Sequence, residues 1–428
     1  MKKLIAALLV FLCLSAAFAA AEEIKMAPLT LPSPQSNGLG GPHVAYTDNI
    51  YALFVNPAAL QWANQGSIIE FSATVFGPLD KFVESGSDFT SAVGDFTEAF
   101  EDSGDDAGGG NVKNPFKGLT DLTDDGRLPL GMDMRGPFSI GYTANGLGVG
   151  LFSRTFVDSR IIGVDVDATA YADLMLTFGM SFNVLRFKDH EVSVGFALKP
   201  FARALTDLEV NALDLVDDSD KFLDELSIPL IVGAGGDLGL IYRFKRDLVV
   251  GLAVNDVYTA GMEVYNFSTL IPDGGKSGSS DTIYRVPISV NPGVAYTFRL
   301  ANVWATAPKL LQSAYAAAMI DWHNFQNVFT WDTDFTHRNP ILDLGIGAEL
   351  GFFNFLKLRF GVHDMLPMVG LGIEPAVFKL NLAVYGKELG NEPGQFPTMA
   401  ADLSIAFRLN TKRRNWPWTK PIVNQFIK

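Results

Sequence analysis

The chain has 428 residues, of which 48% are hydrophobic, 12% aromatic and 19% charged. Intrinsically disordered chains contain fewer apolar and aromatic residues than this, so the composition predicts a folded protein. The 33 basic and 47 acidic residues leave a net charge of −14. This balance argues against nucleic acid and anionic membrane surfaces as main partners.

Residues 1–19 have the pattern of a secretory signal peptide. Two lysines precede an apolar stretch at 4–14, and small residues at 17–19 provide a cleavage site. The apolar stretch is shorter than the roughly 20 residues that a membrane-spanning helix needs. Cys13 is the single cysteine of the sequence, so we expect an exported mature chain without cysteine. A lipoprotein is the alternative, disfavoured because Leu12 is bulky where lipoprotein processing prefers a small residue.

After the leader, the dominant pattern is alternation of apolar residues with small or polar ones. From Leu174 to Val184 every second residue is apolar, and the same holds within 356–362, 378–384 and 403–409. A period of two is typical of a β-strand whose two faces meet different surroundings. No later stretch reaches about 18 uninterrupted apolar residues, so the sequence predicts no membrane-spanning helix.

Two architectures produce this alternation. A soluble β-sandwich turns its apolar face inward, whereas a transmembrane β-barrel turns it toward lipid. Strands of about 9 to 11 residues or more recur here, and sandwich strands usually have about 5 to 6. With the export signal, this favours an all-β fold, an antiparallel transmembrane β-barrel of about 14 strands. The predicted strands are 66–76, 136–145, 147–161, 168–184, 191–204, 227–244, 248–260, 284–299, 312–322, 341–352, 355–363, 367–374, 377–386 and 399–409.

The connections between these strands alternate between short and long. Asn145-Gly146 is the dipeptide of a tight type I′ turn. Outer-membrane barrels have short periplasmic turns and long outer loops, so the alternation predicts that the chain lies in a bacterial outer membrane. Pro200 and Pro287 fall within predicted strands, where a missing N–H predicts a bulge or a gap in the wall. The long connections are 77–135, 205–226, 261–283, 323–340 and 387–398.

Two of the long loops contain short helical patterns. Apolar residues at helical spacing alternate with acidic ones from Phe89 to Phe100 and again from Leu208 to Leu226. Such helices either cover the rim of the barrel or form an amphipathic entry surface for an apolar ligand. The candidate entry-surface residues are Phe89, Phe96, Phe100, Phe222 and Leu223.

Residues 20–65 precede the first predicted strand and do not alternate. They contain Gly38-Leu39-Gly40-Gly41 and then Asp48-Asn49-Ile50-Tyr51-Ala52-Leu53-Phe54-Val55-Asn56-Pro57-Ala58. This combination resembles the N-terminal hatch of FadL-type long-chain fatty acid transporters. The resemblance implies a fourteen-stranded outer-membrane barrel plugged by its N-terminal segment. Aromatic hydrocarbon channels and the PorV-type secretion component carry related hatches, so the cargo stays open.

The residue types of the segment 48–60, which we call the box, suit a plug. Asn56 can start a turn by bonding its own backbone, and Pro57 fixes φ and removes a donor. The alternative is a turn that only caps the first strand. The candidate hatch and ligand contacts are Phe54, Asn56, Pro57, Ala58 and Leu60.

The predicted organisation is therefore a signal peptide at 1–19, a hatch at 20–65, a barrel at 66–410 and a tail at 411–428. The tail is basic and aromatic, which FadL-type barrels do not share. It either anchors at a membrane interface or is a disordered end.

Enzyme motifs are incomplete. Gly275-Lys276-Ser277 lacks the earlier glycine of a phosphate-binding loop, since Leu270 stands there. The five histidines show no pair at zinc-ligand spacing. We therefore expect no enzyme, no cofactor and no metal site, although a scattered Ser/His/acid set stays open.

The predicted function is passive uptake of hydrophobic molecules, with long-chain fatty acids first. The alternatives are a structural or secretion-adaptor barrel without its own cargo, and a non-selective pore, which a hatch disfavours. The expected partners are hydrophobic small molecules and outer-membrane lipid, with protein partners left open. A fatty acid carries a carboxylate, so its path through the lumen needs at least one cation. Each candidate cation either binds this head group or pairs with a carboxylate of the barrel across the lumen. These candidates are Lys199, Lys357, Arg359, Lys379 and Arg408.

Overall fold

The computed structural model describes residues 23–63, 66–79, 127–211, 227–267, 282–330 and 338–410, apart from 32, 246, 305, 307, 309–311 and 376. These residues form one sheet of 17 strands and a few short helical turns. The strands are β1 (Glu23–Lys25), β2 (Gly66–Gly77), β3 (Arg127–Ala144), β4 (Leu147–Ile162), β5 (Asp165–Phe187), β6 (His190–Asn211), β7 (Ile228–Phe244), β8 (Leu248–Asn255), β9 (Thr259–Phe267), β10 (Ile283–Val286), β11 (Ser289–Arg299), β12 (Tyr315–Trp322), β13 (Leu344–Phe352), β14 (Leu356–His363), β15 (Leu366–Ile373), β16 (Phe378–Glu388) and β17 (Pro397–Asn410).

The helical elements are short. The α-helical turns are α1 (Pro34–Asn37), α2 (Ala52–Val55) and α3 (Asn327–Thr330), and the 3₁₀ turns are Pro57–Gln61, Leu300–Asn302 and Pro340–Asp343. Within the described residues, none of these helices is long and apolar enough to cross a membrane.

The sheet closes into an antiparallel barrel. Neighbours along the chain pair from β2 onward, and β17 pairs with β2 through Ile405 and Phe71. Two wall strands are each built from two pieces, β8 with β9 and β10 with β11, interrupted at 256–258 and 287–288. Counted in this way, the wall has 14 strands. The all-β barrel predicted from the alternation is confirmed.

Several strands run further than predicted. β3 begins at Arg127, and β6 continues to Asn211, which pairs with Asp165 of β5. The prediction of a helix that begins at Leu208 is therefore wrong for residues 208–211. Here the ladder to β5 stabilises an extended backbone despite the helical spacing, because tertiary pairing overrides local preference.

The outer and inner faces of the wall differ in polarity. On β17, Leu403 and Ile405 are 42% and 40% exposed, whereas Asp402 and Ser404 are 3% and 1% exposed. Water would make such an apolar outer surface unfavourable, and lipid makes it favourable. The wall therefore has the polarity of a membrane barrel.

The two ends of the barrel differ in their connections. Tight turns join β3 to β4, β5 to β6 and β13 to β14, and we call this end the inner end. The opposite end, which we call the outer end, holds the long connections after β2, β6 and β9. The sequence predicted the same division, with these tight turns at one end of the barrel and these long connections at the other.

Residues 23–63, which we call the N-terminal segment, lie inside the barrel. At the outer end, β1 pairs in parallel with β10, from Glu23 opposite Ile283 to Lys25 opposite Arg285. This pairing covers a strand edge that would otherwise be open. The segment then crosses the lumen and leads into β2 at the inner end.

Candidate functional site in the lumen and wall

Glycines on the inner face of the wall allow the N-terminal segment to approach closely. A Cβ added to Gly361 would lie 2.2 Å from the backbone nitrogen of Gly40. A Cβ added to Gly239 would lie 2.1 Å from Oδ1 of Asn56. Neither distance is possible for real atoms, so only glycine fits at these two wall positions. The wall is thus shaped to this particular segment.

Asn56 is fully buried and uses both ends of its amide. Its Oδ1 accepts the N–H of Ala58 at 3.1 Å, which caps the 3₁₀ turn Pro57–Gln61. Its Nδ2 donates to the carbonyl oxygens of Val44 at 3.0 Å and Leu240 at 3.3 Å. The turn predicted from Asn56 and Pro57 is therefore present. In addition, Asn56 joins two parts of the segment to β7, which the sequence did not indicate.

The other candidate residues of the box pack against the wall. Phe54 meets Phe152 edge to face, with 5.1 Å between the ring centroids. The carbonyl of Ala58 accepts the Ser193 hydroxyl at 3.1 Å. Leu60 is 1% exposed, and Pro57 lies against the wall glycine 195. These are contacts between protein groups, so a role of these residues in holding a ligand stays a prediction.

Polar side chains also attach the N-terminal segment to the wall. The carboxylate of Asp321 binds the His43 ring through one oxygen and accepts the backbone N–H of Val44 at 2.8 Å through the other. On the opposite side, Asn37 donates to Asp402 at 2.7 Å. The segment is therefore held by hydrogen bonds as well as by shape.

Two histidines that are distant in the sequence meet beside the segment. The rings of His323 and His363 lie edge to face, 5.3 Å between centroids, next to Gly41. Nε2 of His323 and Nδ1 of His363 are buried without a hydrogen-bond partner in the described part of the chain. Burial lowers the pKa of His323, and the neighbouring His363 and His43 lower it further. The sequence missed this group because His323 follows β12 and His363 ends β14, two strands that are not neighbours.

Three of the candidate head-group cations meet at two carboxylates near the inner end. Arg359 donates to Glu349 at 2.7 Å and to Glu374 at 2.5 Å. Nζ of Lys357 and Nζ of Lys379 lie 3.2 and 3.5 Å from Glu374. Burial raises the pKa of Glu374, but the three cations lower it more, so its pKa lies below the ordinary value. These three cations therefore pair with lumen carboxylates, which is the alternative role given for them in the sequence analysis. Binding of a fatty acid head group by these cations stays a prediction.

The remaining two candidates have different surroundings. Lys199 is 1% exposed, and its Nζ lies 2.9 Å from Asp237 and 3.1 Å from Asp256. The same ammonium lies 3.5 Å from the carbonyl oxygen of Leu29 in the N-terminal segment. Arg408 is half-buried on the inner face, and its Nε has no partner among the described residues. Of the five candidate cations, Lys199 therefore contacts the N-terminal segment, as do the wall arginines Arg154 and Arg203, which donate to the carbonyl oxygens of Thr30 and Ala27.

The entry-surface candidates Phe89, Phe96, Phe100, Phe222 and Leu223 lie outside the described residues, as does the tail at 411–428. Their predicted roles stay predictions.

The wall is interrupted next to Lys199. β7 pairs with β9 as far as Ala234 opposite Ala260, and with β8 from Leu238 opposite Val254. Residues 235–237 of β7 therefore lie opposite residues 255–259, which is a bulge of two residues. Asp256 takes a positive φ of 52° within it.

The bulge leaves an apolar groove of about 720 Å³ on the outer surface of the barrel, which we call the wall groove. This volume is in the range of small-molecule sites, about 300–1,000 Å³. Ala197 and Asp237, which face inward, lie at its floor. A Cβ added to Gly236 would meet nothing closer than 3.7 Å, so this part of the groove is open. Its outward-facing lining includes Leu198, Val232, Leu238, Val257 and Met262.

The prolines predicted to weaken the wall behave differently. Pro287 lies in the interruption between β10 and β11, beside Val286, which pairs with Thr259 next to the bulge. Pro200 lacks a partner on β5, yet it pairs with Ala234 of β7 and causes no change of register. The sequence missed the wall groove, although the glycines at 233, 235 and 236 within a strand are a known sign of a bulge.

The sequence matches no protein-family model and no curated protein. Among solved structures, the chain is similar to the CymD monoaromatic hydrocarbon channel, with 11% identity and a TM-score of 0.45 over 91% of this chain and 100% of that one. It is also similar to the P. putida toluene transporter TodX, with 14% identity and a TM-score of 0.44 over 89% and 98% of the two chains. A Pseudomonas aeruginosa FadL homologue shares 10% identity at a TM-score of 0.42, over 89% of this chain and 99% of that chain. Such low identities and TM-scores do not establish a shared function.

Proposed function

We propose that this chain is a bacterial outer-membrane channel for passive uptake of hydrophobic molecules, which leave the lumen through the wall groove. The observation that carries the proposal is an apolar groove of about 720 Å³ in the wall of a barrel whose lumen contains residues 23–63 packed against the wall. An apolar molecule gains by passing from such a groove into lipid. Long-chain fatty acids are the first class of cargo in this proposal.

The proposal treats residues 20–65 as a hatch. Lys199 links the described part of this segment, through the Leu29 carbonyl, to Asp237 at the floor of the wall groove. Displacement of the segment would remove one contact of the Lys199 ammonium and loosen the floor. Movement of the hatch and opening of the groove are in this way coupled.

Uptake by intact cells tests the exit path. Gly236→Phe places a ring in the open part of the wall groove, and we expect loss of uptake of labelled oleate and toluene with unchanged amounts of barrel. Leu382→Phe is the matched control, because Leu382 is exposed on the outer face of β16, on the far side of the barrel. Equal uptake by the two variants would exclude the groove as the exit.

The bound cargo tests the proposed class directly. We expect mass spectrometry of protein purified from bacterial membranes to find an acyl or aromatic hydrophobic ligand. Purification without such a ligand, together with stoichiometric protein partners, would favour the secretion-adaptor alternative.

A reversible cross-link tests the hatch. Asn37 and Asp402 are suitable because their side chains lie 2.7 Å apart and neither position requires glycine. We expect the oxidised Asn37→Cys, Asp402→Cys double variant to bind cargo without passing it on, and reductant to restore uptake. Each single variant is a control for the lost asparagine and aspartate. Equal uptake by oxidised and reduced protein would exclude hatch movement.

A further inference from the structure

Three of the five histidines of the chain meet at residues 38–43 of the N-terminal segment, which we call the glycine turn. His43 ends this turn, and the rings of His323 and His363 lie beside Gly41. Since His323 follows β12 and His363 ends β14, the group lies near the outer end of the barrel. The His363 side chain is 22% exposed, so external water reaches the group.

The His43 ring holds the glycine turn to the wall. Its Nε2 donates to the Leu39 carbonyl at 2.7 Å, and its Nδ1 binds the Asp321 carboxylate. A carbonyl and a carboxylate only accept hydrogen bonds, so both ring nitrogens donate and the ring forms an ion pair with Asp321. A positive ring therefore lies at the end of the turn.

The other two rings lack such partners. Nε2 of His323 and Nδ1 of His363 are buried without a hydrogen-bond partner among the described residues. Nε2 of His323 lies 3.1 and 3.3 Å from where a Cβ on Gly41 or Gly345 would stand, and Nδ1 of His363 lies 3.8 Å from the position at Gly41. The glycine turn therefore covers both nitrogens, which suits neutral rings and would leave a new N–H on His323 without an acceptor.

The carboxylates around the two rings have other partners. Asp343 accepts from Asn324 and Asn327 at 3.4 and 3.1 Å. Asp364 pairs with an arginine and lies 3.8 Å from Nε2 of His363, beyond hydrogen-bond distance. A proton on His323 would thus lack a direct counter-ion. The titratable and charged groups that face the pair are His43 of the glycine turn, Asp321 of β12, Asp343 and Arg338 from the connection before β13, and Asp364 after β14.

Acid favours release of the glycine turn. Burial and the neighbouring rings of His363 and His43 hold the pKa of His323 well below its ordinary value of 6.5. When the turn leaves the wall, water reaches Nε2 and this pKa rises, so the released form binds the proton more tightly than the closed form. A lower pH therefore shifts the equilibrium toward the released form.

We infer that His323 and His363 form a pH-sensitive latch, which holds the glycine turn against β13 and β14 at neutral pH and releases it when the external medium becomes acidic. The inference rests on the proposed function, because the glycine turn belongs to the proposed hatch. The turn moves rather than the wall, since its contacts here are those of glycine backbone, whereas the histidines adjoin paired strands. External pH in this way controls the entry of hydrophobic molecules.

Labelling of a buried thiol measures release of the turn. Ala45 is 6% exposed and lies two residues after His43, and the single native cysteine, Cys13, lies in the predicted signal peptide. We expect a pyridyl disulfide, which reacts with thiols in acid, to label Ala45→Cys at least about tenfold faster at pH 5 than at pH 7.5, each rate being divided by that of urea-unfolded protein. Tenfold corresponds to a difference of about one pKa unit between the two forms. Ala406→Cys, buried in β17 near the inner end, is the control for the wall, and we expect its labelling to stay slow.

Histidine variants test the source of the effect. We expect His323→Gln to lose the acceleration by acid and His363→Gln to show a smaller one. His190→Gln is the matched control, because His190 also contacts aromatic rings and bonds Tyr242 at 2.7 Å, but at the inner end. No acceleration in the unaltered background, or an equal one in His323→Gln and His190→Gln, overturns the inference. If His323→Gln is labelled rapidly already at pH 7.5, His363→Gln decides, and a full acceleration in that variant overturns the inference.

Uptake of toluene separates the latch from the proposed function, because toluene has no titratable group. We expect faster uptake by cells at pH 5 than at pH 7.5, and no such difference in His323→Gln. Acid-dependent release of the turn without toluene uptake at either pH would refute the proposed function and leave the latch. Toluene uptake without acid-dependent release would refute the latch alone. Release with equal uptake at both pH values would refute its control of entry.

Discussion

Replacing Lys199 by methionine removes the cation from one of the most buried charged groups of the barrel. The Asp237 and Asp256 side chains left behind are 0% and 2% exposed. Removing one partner of a buried ion pair costs about 3–5 kcal/mol, because the other charge stays desolvated. Here two carboxylates lose the same cation. The backbone N–H of Asp256 and the Thr259 hydroxyl still donate to them, both at 2.8 Å, and offset part of the loss.

We therefore expect Lys199→Met to lower the free energy of unfolding by about 3–5 kcal/mol. The measurement is urea-induced unfolding and refolding in phospholipid vesicles, followed by tryptophan fluorescence. Lys188→Met is the control, because it lies in an exposed turn, and surface substitutions change stability by only about 0.5 kcal/mol.

A triple variant separates the charge effect from packing. Lys199→Met combined with Asp237→Asn and Asp256→Asn removes all three charges and keeps side chains of similar size. We expect most of the lost stability to return, since neutral replacement of a whole buried ionic group is often tolerated. A loss below about 1 kcal/mol for Lys199→Met, or no recovery in the triple variant, would refute this reasoning.

Three further results are expected. Leu403→Arg, on the lipid-facing side of β17, costs roughly 2–4 kcal/mol of unfolding free energy in vesicles near the bilayer midplane, whereas Leu403→Ile costs under about 1.5 kcal/mol; equal losses would contradict the assigned faces. Gly239→Ala displaces Asn56 and makes the N-terminal segment sensitive to added protease, while Gly236→Ala, with no atom nearer than 3.7 Å, does not. Because the pKa of His323 lies well below 6.5, the unfolded chain binds the proton more readily than the folded one, so stability is complete above pH 6.5 and falls below it. His323→Gln reduces this dependence in unfolding measured from pH 8 to 5, and an unchanged slope would show that His323 is not its source.

Local sequence patterns explain why several features of the candidate site can be predicted from the sequence. The turn at Asn56 and Pro57 depends on bonds within three residues, so the residue types predict it directly. The inward direction of Lys199 and Arg359 follows from their parity along a strand. Neither feature requires knowledge of which strands are neighbours.

The sequence by itself determined the class of the fold. Because a period of two is a property of each strand alone, the sequence predicts which face of each strand is apolar and how many strands there are. The segments between these strands then give the alternating short and long connections. Local spacing failed where pairing between strands overrode it, as at residues 208–211, which continue β6 despite their helical pattern.

Only the tertiary structure decided what the inner residues meet. Which carboxylate faces which cation depends on register and closure, and these join residues as distant as His43 and Asp321 or Lys199 and Asp256. The wall groove arises because β7 pairs with β8 and β9 in two registers, a relation between three strands that no single strand encodes.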